Sequence, residues 1–267
     1  MSSRRVVVTG QGLVSPVGNT VKSTWDALCN GKSGIGPVTE LDVSALATRI
    51  AGEIRDFDIT EFIPGKDARR FDKFMHYGLA AAQEAMAEAG IMGDDHGLNL
   101  DRVGCAVGAG IGGISSIEKN MLIYRDKGPR RVSPFYIPGS IVNMISGYLS
   151  IQYGFKGPNI AVVTACTTST HNIGLAARMI QYGDADMMIA GGSEYATTPT
   201  AMAGFVSAQA MSTRNDDPEG ASRPWDEGRD GFVLSNGAGL MVIEELEHAK
   251  ARGANILAEI AGFGMSG

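Results

Sequence analysis

Cys166 stands where two residue patterns meet. The run Ile160-Ala161-Val162-Val163-Thr164 is apolar and β-branched and predicts a short buried strand, and the small-residue stretch that follows, through Ile180, predicts a buried helix. Cys166 then falls on the turn at or just before the helix N-terminus. Unpaired N–H groups and the positive end of the helix dipole converge there and favour a thiolate over a thiol, below the ordinary pKa of about 8.5. A cysteine so mounted is a candidate nucleophile, and the alternative is an inert small core residue.

A second constellation is rich in glycine. Gly108-Ala109-Gly110-Ile111-Gly112-Gly113 follows a candidate strand and spells Gly-x-Gly-x-x-Gly. In dinucleotide-binding folds that spelling sits in the opening βαβ unit and has an acidic partner roughly 20 residues on. Here it lies mid-chain with no convincing acid-ending strand after it, which favours a loop where backbones approach closely. Ile111, a bulky residue held between glycines, either fills a core gap or acts as a movable gate.

These residues belong to a chain of 267 with 44% hydrophobic content, enough for a sizeable core in one large or two small domains. The net charge of −6 argues against nucleic-acid binding, which needs a basic surface. Cys29, Cys105 and Cys166 are odd in number and far apart, so neither a disulfide framework nor a thiolate metal site is expected. No cofactor is expected either, and a reducing, cytoplasmic setting fits best. A strand begins almost at the N-terminus without a signal-like segment, and no apolar run reaches the roughly 18 residues of a membrane span. Glycine is 36 of 267 residues without a repeat, which implies close backbone packing and tight turns.

Strands and helices alternate along the chain. Val6–Thr9 predicts a first strand, and a helix follows around Val21–Leu28 with Asn19 or Thr20 as its cap. After a loop-rich stretch from Gly31 to about Pro64, a long helix is predicted over Arg69–Ala89 with Gly90 ending it. A strand over Val103–Ala109, helices near Ser115–Arg125 and Ile141–Tyr153, the Cys166 junction and a strand over Ala185–Ala190 come next. Gly231–Val233 and Gly239–Glu244 read as a β pair joined by 234–238. A helix over Leu246–Arg252 and a closing strand over Ile256–Gly264 complete an α/β layered fold with a mixed sheet.

Ordered motifs run through the whole chain: Arg4-Arg5-Val6-Val7-Val8-Thr9-Gly10, Ser15-Pro16-Val17-Gly18, Gly110-Ile111-Gly112-Gly113, Ser133-Pro134-Phe135 and Thr164-Ala165-Cys166. They continue with Gly183-Asp184-Ala185-Asp186, Ala190-Gly191-Gly192-Ser193-Glu194, Ser212-Thr213-Arg214-Asn215-Asp216, Ser222-Arg223-Pro224-Trp225-Asp226 and Arg229-Asp230-Gly231-Phe232-Val233. In these the chain resembles the β-ketoacyl-acyl-carrier-protein synthases of type II fatty acid synthesis, most closely the synthase II type. The resemblance implies the thiolase fold, two βαβαβαββ halves in an αβαβα arrangement. The chain would be the N-terminal half, with a cap insertion at about 50–150. It implies a homodimer whose partners are acyl carrier protein and fatty acyl and malonyl thioesters. The family's two histidines, a lysine and a Gly-Phe-Gly-Gly loop belong to a second half that this sequence does not include.

Residue by residue, the resemblance makes Cys166 the acyl-accepting nucleophile. It also places Ile111, Tyr136 and Phe205 at the acyl pocket, Tyr136 reaching the partner's tunnel. Lys66, Arg69, Arg70, Arg130 and Arg131 form a patch on which the acidic carrier docks. His171 lies five residues along the Cys166 helix, roughly 140° further round, and reads as a packed helix histidine. His76, His96 and His248 carry no chemical signal. Gln209 stands where a docking arginine is common, and Asn236-Gly237 is a turn-prone pair where the family has Gly followed by an acid. Thr167-Thr168-Ser169-Thr170 is more hydroxylic than the common version. Two other readings stand beside this one, a truncated non-catalytic dimer scaffold and a thiolase-like acyltransferase using coenzyme A esters; a dinucleotide-binding module comes last.

Overall fold

In the computed structural model, which describes residues 4–93 and 97–266, the main feature is a six-stranded sheet between helical layers. His96 lies outside the described residues. In chain order the elements are β1 (Val6–Val14), α1 (Val21–Cys29), β2 (Ile35–Pro37), β3 (Ile50–Gly52), α2 (Gly65–Ala68), α3 (Lys73–Glu88), β4 (Val103–Gly108) and α4 (Ile114–Lys127). They continue with α5 (Met144–Tyr153), β5 (Asn159–Ile160), α6 (Thr168–Tyr182), β6 (Met187–Glu194), α7 (Pro199–Ser207), β7 (Gly237–Glu245), α8 (Leu246–Ala251) and β8 (Ala258–Glu259). Strand order is β5-β4-β6-β7-β1-β8, and β2 and β3 pair separately. β4 runs parallel to both β5 and β6, and the other pairings of the large sheet are antiparallel.

Alternation along the strands separates two cores. Val103, Cys105 and Val107 of β4, Met187 and Ile189 of β6 and Leu240 and Val242 of β7 face α3 and α5, whereas Ala106, Met188, Ala190 and Ile243 face α6. The result is a helix–sheet–helix sandwich. On the first face α3 lies almost against the backbone of β1: a Cβ at Gly12 would sit 1.8 Å from the Ala81 carbonyl oxygen, and one at Gly10 2.1 Å from that of Ala85. Glycine is required at these positions by contact. Among the described residues no helix is long and apolar enough to cross a membrane.

Local chemistry explains the helix limits. Thr20 caps α1 through a reciprocal pair of bonds with Ser23. α3 starts four residues later than its periodicity suggests, because the side chain of Asp72 accepts the Phe74 N–H. It ends with Gly90 at φ +69°, whose N–H donates to Ala87 while that of Ile91 donates to Met86.

Several expectations are corrected. The strand before Cys166 covers only Asn159–Ile160, at the sheet edge, because side chains of α6 take the next backbone groups. β7 is flanked by β6 and β1, which leaves no edge for the expected hairpin, and Phe232 instead bridges to Met211. Asn236 is not in a turn; it is buried, accepting the Ala196 and Thr197 N–H groups and donating to the Thr197 hydroxyl. The closing strand shrinks to Ala258–Glu259, after which Phe263 packs on Gly174 of α6. The stretch 50–150 includes α3 and the fully buried β4, both core elements of the main sandwich.

Candidate active site

The chain leaves β4 toward β5 on one side and, from β5, crosses back to β6 on the other. Strand order therefore reverses at β4, and a crevice opens beyond the carboxyl ends of β4 and β6, the usual ligand position in such sheets. Cys166 sits on the rim of that crevice and is exposed, within a single 3-10 turn (Ala165–Thr167) that leads into α6. Ala165 has φ +52°, a left-handed conformation that costs a residue with a Cβ about 1 kcal/mol or more, and such strain persists only where the surroundings impose it.

Those surroundings are side chains of α6 and of Thr167 just before it. Asn172, fully buried, accepts the Val162 N–H with Oδ1 at 3.0 Å and donates through Nδ2 to the Val162 carbonyl at 3.0 Å and the Thr168 carbonyl at 2.8 Å. Thr164 is held three ways: its N–H donates to Thr168 Oγ1, its carbonyl accepts from Thr167 Oγ1, and its hydroxyl meets His171 Nδ1 at 2.8 Å. The hydroxyl cluster beside Cys166 therefore braces the turn. His171 is packed on the helix as expected, edge-on to Phe263, and its ring nitrogen serves the turn. Asn172→Leu removes three bonds and leaves the Val162 amide and carbonyl unpaired, with an expected stability loss of about 2–3 kcal/mol. A thermal melt checks the loss.

Cys166, Ile111 and Phe205 line one cleft of about 670 Å³, together with Phe232, Leu234 and Glu194. Phe205 stands edge-on to Phe232 with centroids 5.2 Å apart, and Ile111 is 39% exposed. α7, which carries Phe205, is tied at its start to α4 by Glu118, whose carboxylate accepts from Thr198 Oγ1, the Thr200 N–H and the Thr200 hydroxyl. A larger groove of about 890 Å³ runs past Trp25, Leu28 and Ile173 and contains no cysteine.

The amides at the heart of the glycine loop are already occupied. Glu194 accepts the N–H groups of Ile111 and Gly112, and Asp72 accepts Ser115 Oγ and the Ser116 N–H at the start of α4. Both anion sites are filled by the chain's own carboxylates, which removes the dinucleotide reading. Glycines are needed there for contact: a Cβ at Gly108 would meet the Val162 carbonyl oxygen at 2.5 Å, and one at Gly110 the Glu194 carboxylate at 2.9 Å.

Tyr136 is not in the Cys166 cleft of its own chain. It lines a separate pocket of about 200 Å³ with Arg69, Arg70, Lys73, Lys119 and Arg131. Arg70 is paired with Asp67 at 3.0 Å and stacks on Phe135 at 4.3 Å, and Lys73 is paired with Glu40. Lys66 and Arg130 are exposed outside that pocket. The exposed Gln209 ends α7 at φ +55°. Lys73 and Lys119 are basic residues that the sequence reading passes over; only the packing of α3 beside α4 brings them to the patch. Asn172 and Glu194 are also missed, since their partners are set by the fold.

A cysteine on a strained turn thus stands at the switch point of the sheet and opens on an apolar cleft. The sequence profile of the β-ketoacyl synthase N-terminal domain matches residues 3–249, and the chain belongs to that family. It is 59% identical to 3-oxoacyl-[acyl-carrier-protein] synthase 2 of Vibrio harveyi over all of its own residues, and spans 64% of that relative's length. Among solved structures, a β-ketoacyl synthase from Burkholderia phymatum STM815 superposes with a TM-score of 0.88 at 33% identity, covering 97% of this chain and 63% of that one. A type II polyketide ketosynthase, solved in complex with its acyl-carrier protein and bound to a hexaketide, superposes with a TM-score of 0.84 at 29% identity, covering 98% and 62%.

Proposed function

We infer that the protein is a β-ketoacyl-acyl-carrier-protein synthase of the synthase II type, and that this chain carries its acyl-transfer half-reaction. The observation that carries the reading is the exposed Cys166 on its strained turn, opening on the apolar cleft of Ile111 and Phe205. The Cys166 thiolate attacks the carbonyl of a fatty acyl thioester, and the tetrahedral intermediate expels the carrier thiolate and leaves S-acyl-Cys166. Cys166 N–H is one oxyanion donor. In the second half-reaction malonyl-carrier protein loses carbon dioxide, its enolate carbon attacks the acyl carbonyl, and Cys166 departs as the β-ketoacyl thioester forms. No histidine lines the cleft among the described residues, so decarboxylation needs groups other than these.

The domain is the N-terminal half of a thiolase-like synthase, with a cap insertion at about 50–150. It works as a cytoplasmic homodimer in which Tyr136 borders the partner's tunnel. Acyl carrier protein docks on Lys66, Arg69, Arg70, Arg130 and Arg131, a reading supported by their exposure on an acidic chain and by the carrier complex of the related ketosynthase. Reversing Arg69 and Arg131 to Glu is expected to raise KM for acyl-carrier protein about tenfold or more at low salt. The expected change in kcat is about twofold at most, and the KM effect shrinks as salt rises. Steady-state kinetics at two ionic strengths check this; an unchanged KM removes the docking assignment. The function itself is tested by incubating the native polypeptide with hexadecanoyl-carrier protein. Intact mass spectrometry should find one acyl group, and peptide mapping should place it on Cys166; absence of any adduct rejects the reading.

A further inference from the structure

Glu194, the last residue of β6, takes no part in acyl transfer, yet its carboxylate is turned into the glycine loop behind Ile111. One oxygen accepts the Ile111 N–H at 2.8 Å, the other accepts the Gly112 N–H at 3.1 Å, and the amides of Gly110 and Tyr195 also face it. Burial pushes the carboxyl above its ordinary value, and backbone amides alone, with no cation, offset its charge. Gly112 has φ +81°, and Gly110 leaves the space that the carboxylate occupies. The same side chain lines the cleft of Cys166, Ile111 and Phe205. A carboxylate on the wall of an apolar cleft is costly unless its hydrogen bonds are needed.

We propose that Glu194 is a positioning residue that fixes where Ile111 closes the cleft and so limits the length of acyl chain that Cys166 accepts. The proposal rests on the acyl-transfer reading above. Ile111 is partly exposed, so its backbone tether helps decide how far it yields. An acyl chain short of Ile111 leaves the tether intact. A longer chain has to displace the residue and pull its N–H from a charged acceptor, so the cost falls on long chains alone.

The test compares Cys166 acylation by octanoyl- and hexadecanoyl-carrier protein in the native polypeptide, in Glu194→Gln, in Ile111→Gly and in the double variant, by intact mass against time. Glutamine keeps the size but offers one acceptor oxygen where two are used. The ratio of hexadecanoyl to octanoyl rates is expected to rise about tenfold in Glu194→Gln, the scale of one charge-assisted hydrogen bond. Ile111→Gly raises the ratio too, and the double variant rises no further than Ile111→Gly, because the tether acts only through Ile111. Equal loss at both lengths, or additive effects in the double variant, overturns the proposal. Should Glu194→Gln fail to fold, Glu194→Asp, which keeps the charge and retracts it by one methylene, gives the same test with a smaller rise expected. Labelling of the native protein with an unchanged ratio in the variants rejects the role of Glu194 alone. No labelling by either chain rejects the acyl-transfer reading and the proposal together.

Discussion

Cys166→Ala is expected to abolish acyl-enzyme formation, with condensation falling by about 10³-fold or more, the scale seen when a covalent nucleophile is removed. The fold should hardly notice. Cys166 is exposed on a turn braced by the backbone of Val162 and Thr164, and the bracing bonds come from Asn172, Thr167, Thr168 and His171, none of them from the thiol. A thermal melt within about 2 °C of the parent, together with complete loss of the hexadecanoyl adduct, is the expected pair of results. The other cysteines supply internal controls. Cys105 lies in the core face of β4 and burial pushes its thiol up to about 12, so it stays unlabelled at neutral pH. Cys29 is exposed at the end of α1 and is expected to react with small alkylating reagents, but it does not line the Cys166 cleft. An acyl adduct that survives in Cys166→Ala would overturn the assignment.

The second large effect concerns stability. Glu244 on β7 has a fully buried carboxylate that accepts from Thr9 on β1 and from His248 and Arg252 at α8, while Arg252 Nη1 also donates to the Ala89 carbonyl at the end of α3. Burial alone would raise its carboxyl; the bonds from Arg252, His248 and Thr9 more than reverse this and hold it at about 2, against an ordinary 4.5. Because the folded pKa is depressed, the stabilisation is fully present above about pH 4.5 and is lost as pH falls toward 2. The gap corresponds to about 3 kcal/mol. Denaturant titrations between pH 6 and pH 3 should show the larger part of that loss, and Glu244→Gln should flatten it. Arg252→Ala leaves the buried carboxylate without its cation and is expected to cost about 3–5 kcal/mol at pH 7, a fall in Tm of about 10 °C or more. An unchanged melt would show that the ion pair contributes nothing net.

What could be read in advance divides along physical lines. Periodicity located α3 and α6 because each buries a stripe of small and apolar residues, and the Cys166 junction was legible because a β-branched run gives way to small residues there. The length of the strand before it was not legible. Val162 and Thr164 look like strand residues, but Asn172, Thr167 and Thr168 supply partners that a ladder would otherwise provide. Likewise 256–264 has strand composition, yet β1 offers pairing only at Val7 and Val8. At the site, Cys166, Ile111 and Phe205 do meet in one cleft, whereas Tyr136 lines the basic pocket. Glu194 could be quoted as part of a motif but not given a role, since the amide it binds is 83 residues away in sequence.

The near-contact of β1 with α3 bears on how the chain tolerates change. Where a missing methyl group is all that lets Gly12 approach the Ala81 carbonyl, there is no smaller residue to retreat to and no larger one to try. Most core positions can drift through volume-conserving exchanges; this seam cannot, because its two surfaces are backbone. A substitution at Gly12 would have to push α3 off the sheet, and because Leu13 and Val14, the next residues of β1, line the cleft, such a change would reach the Cys166 site.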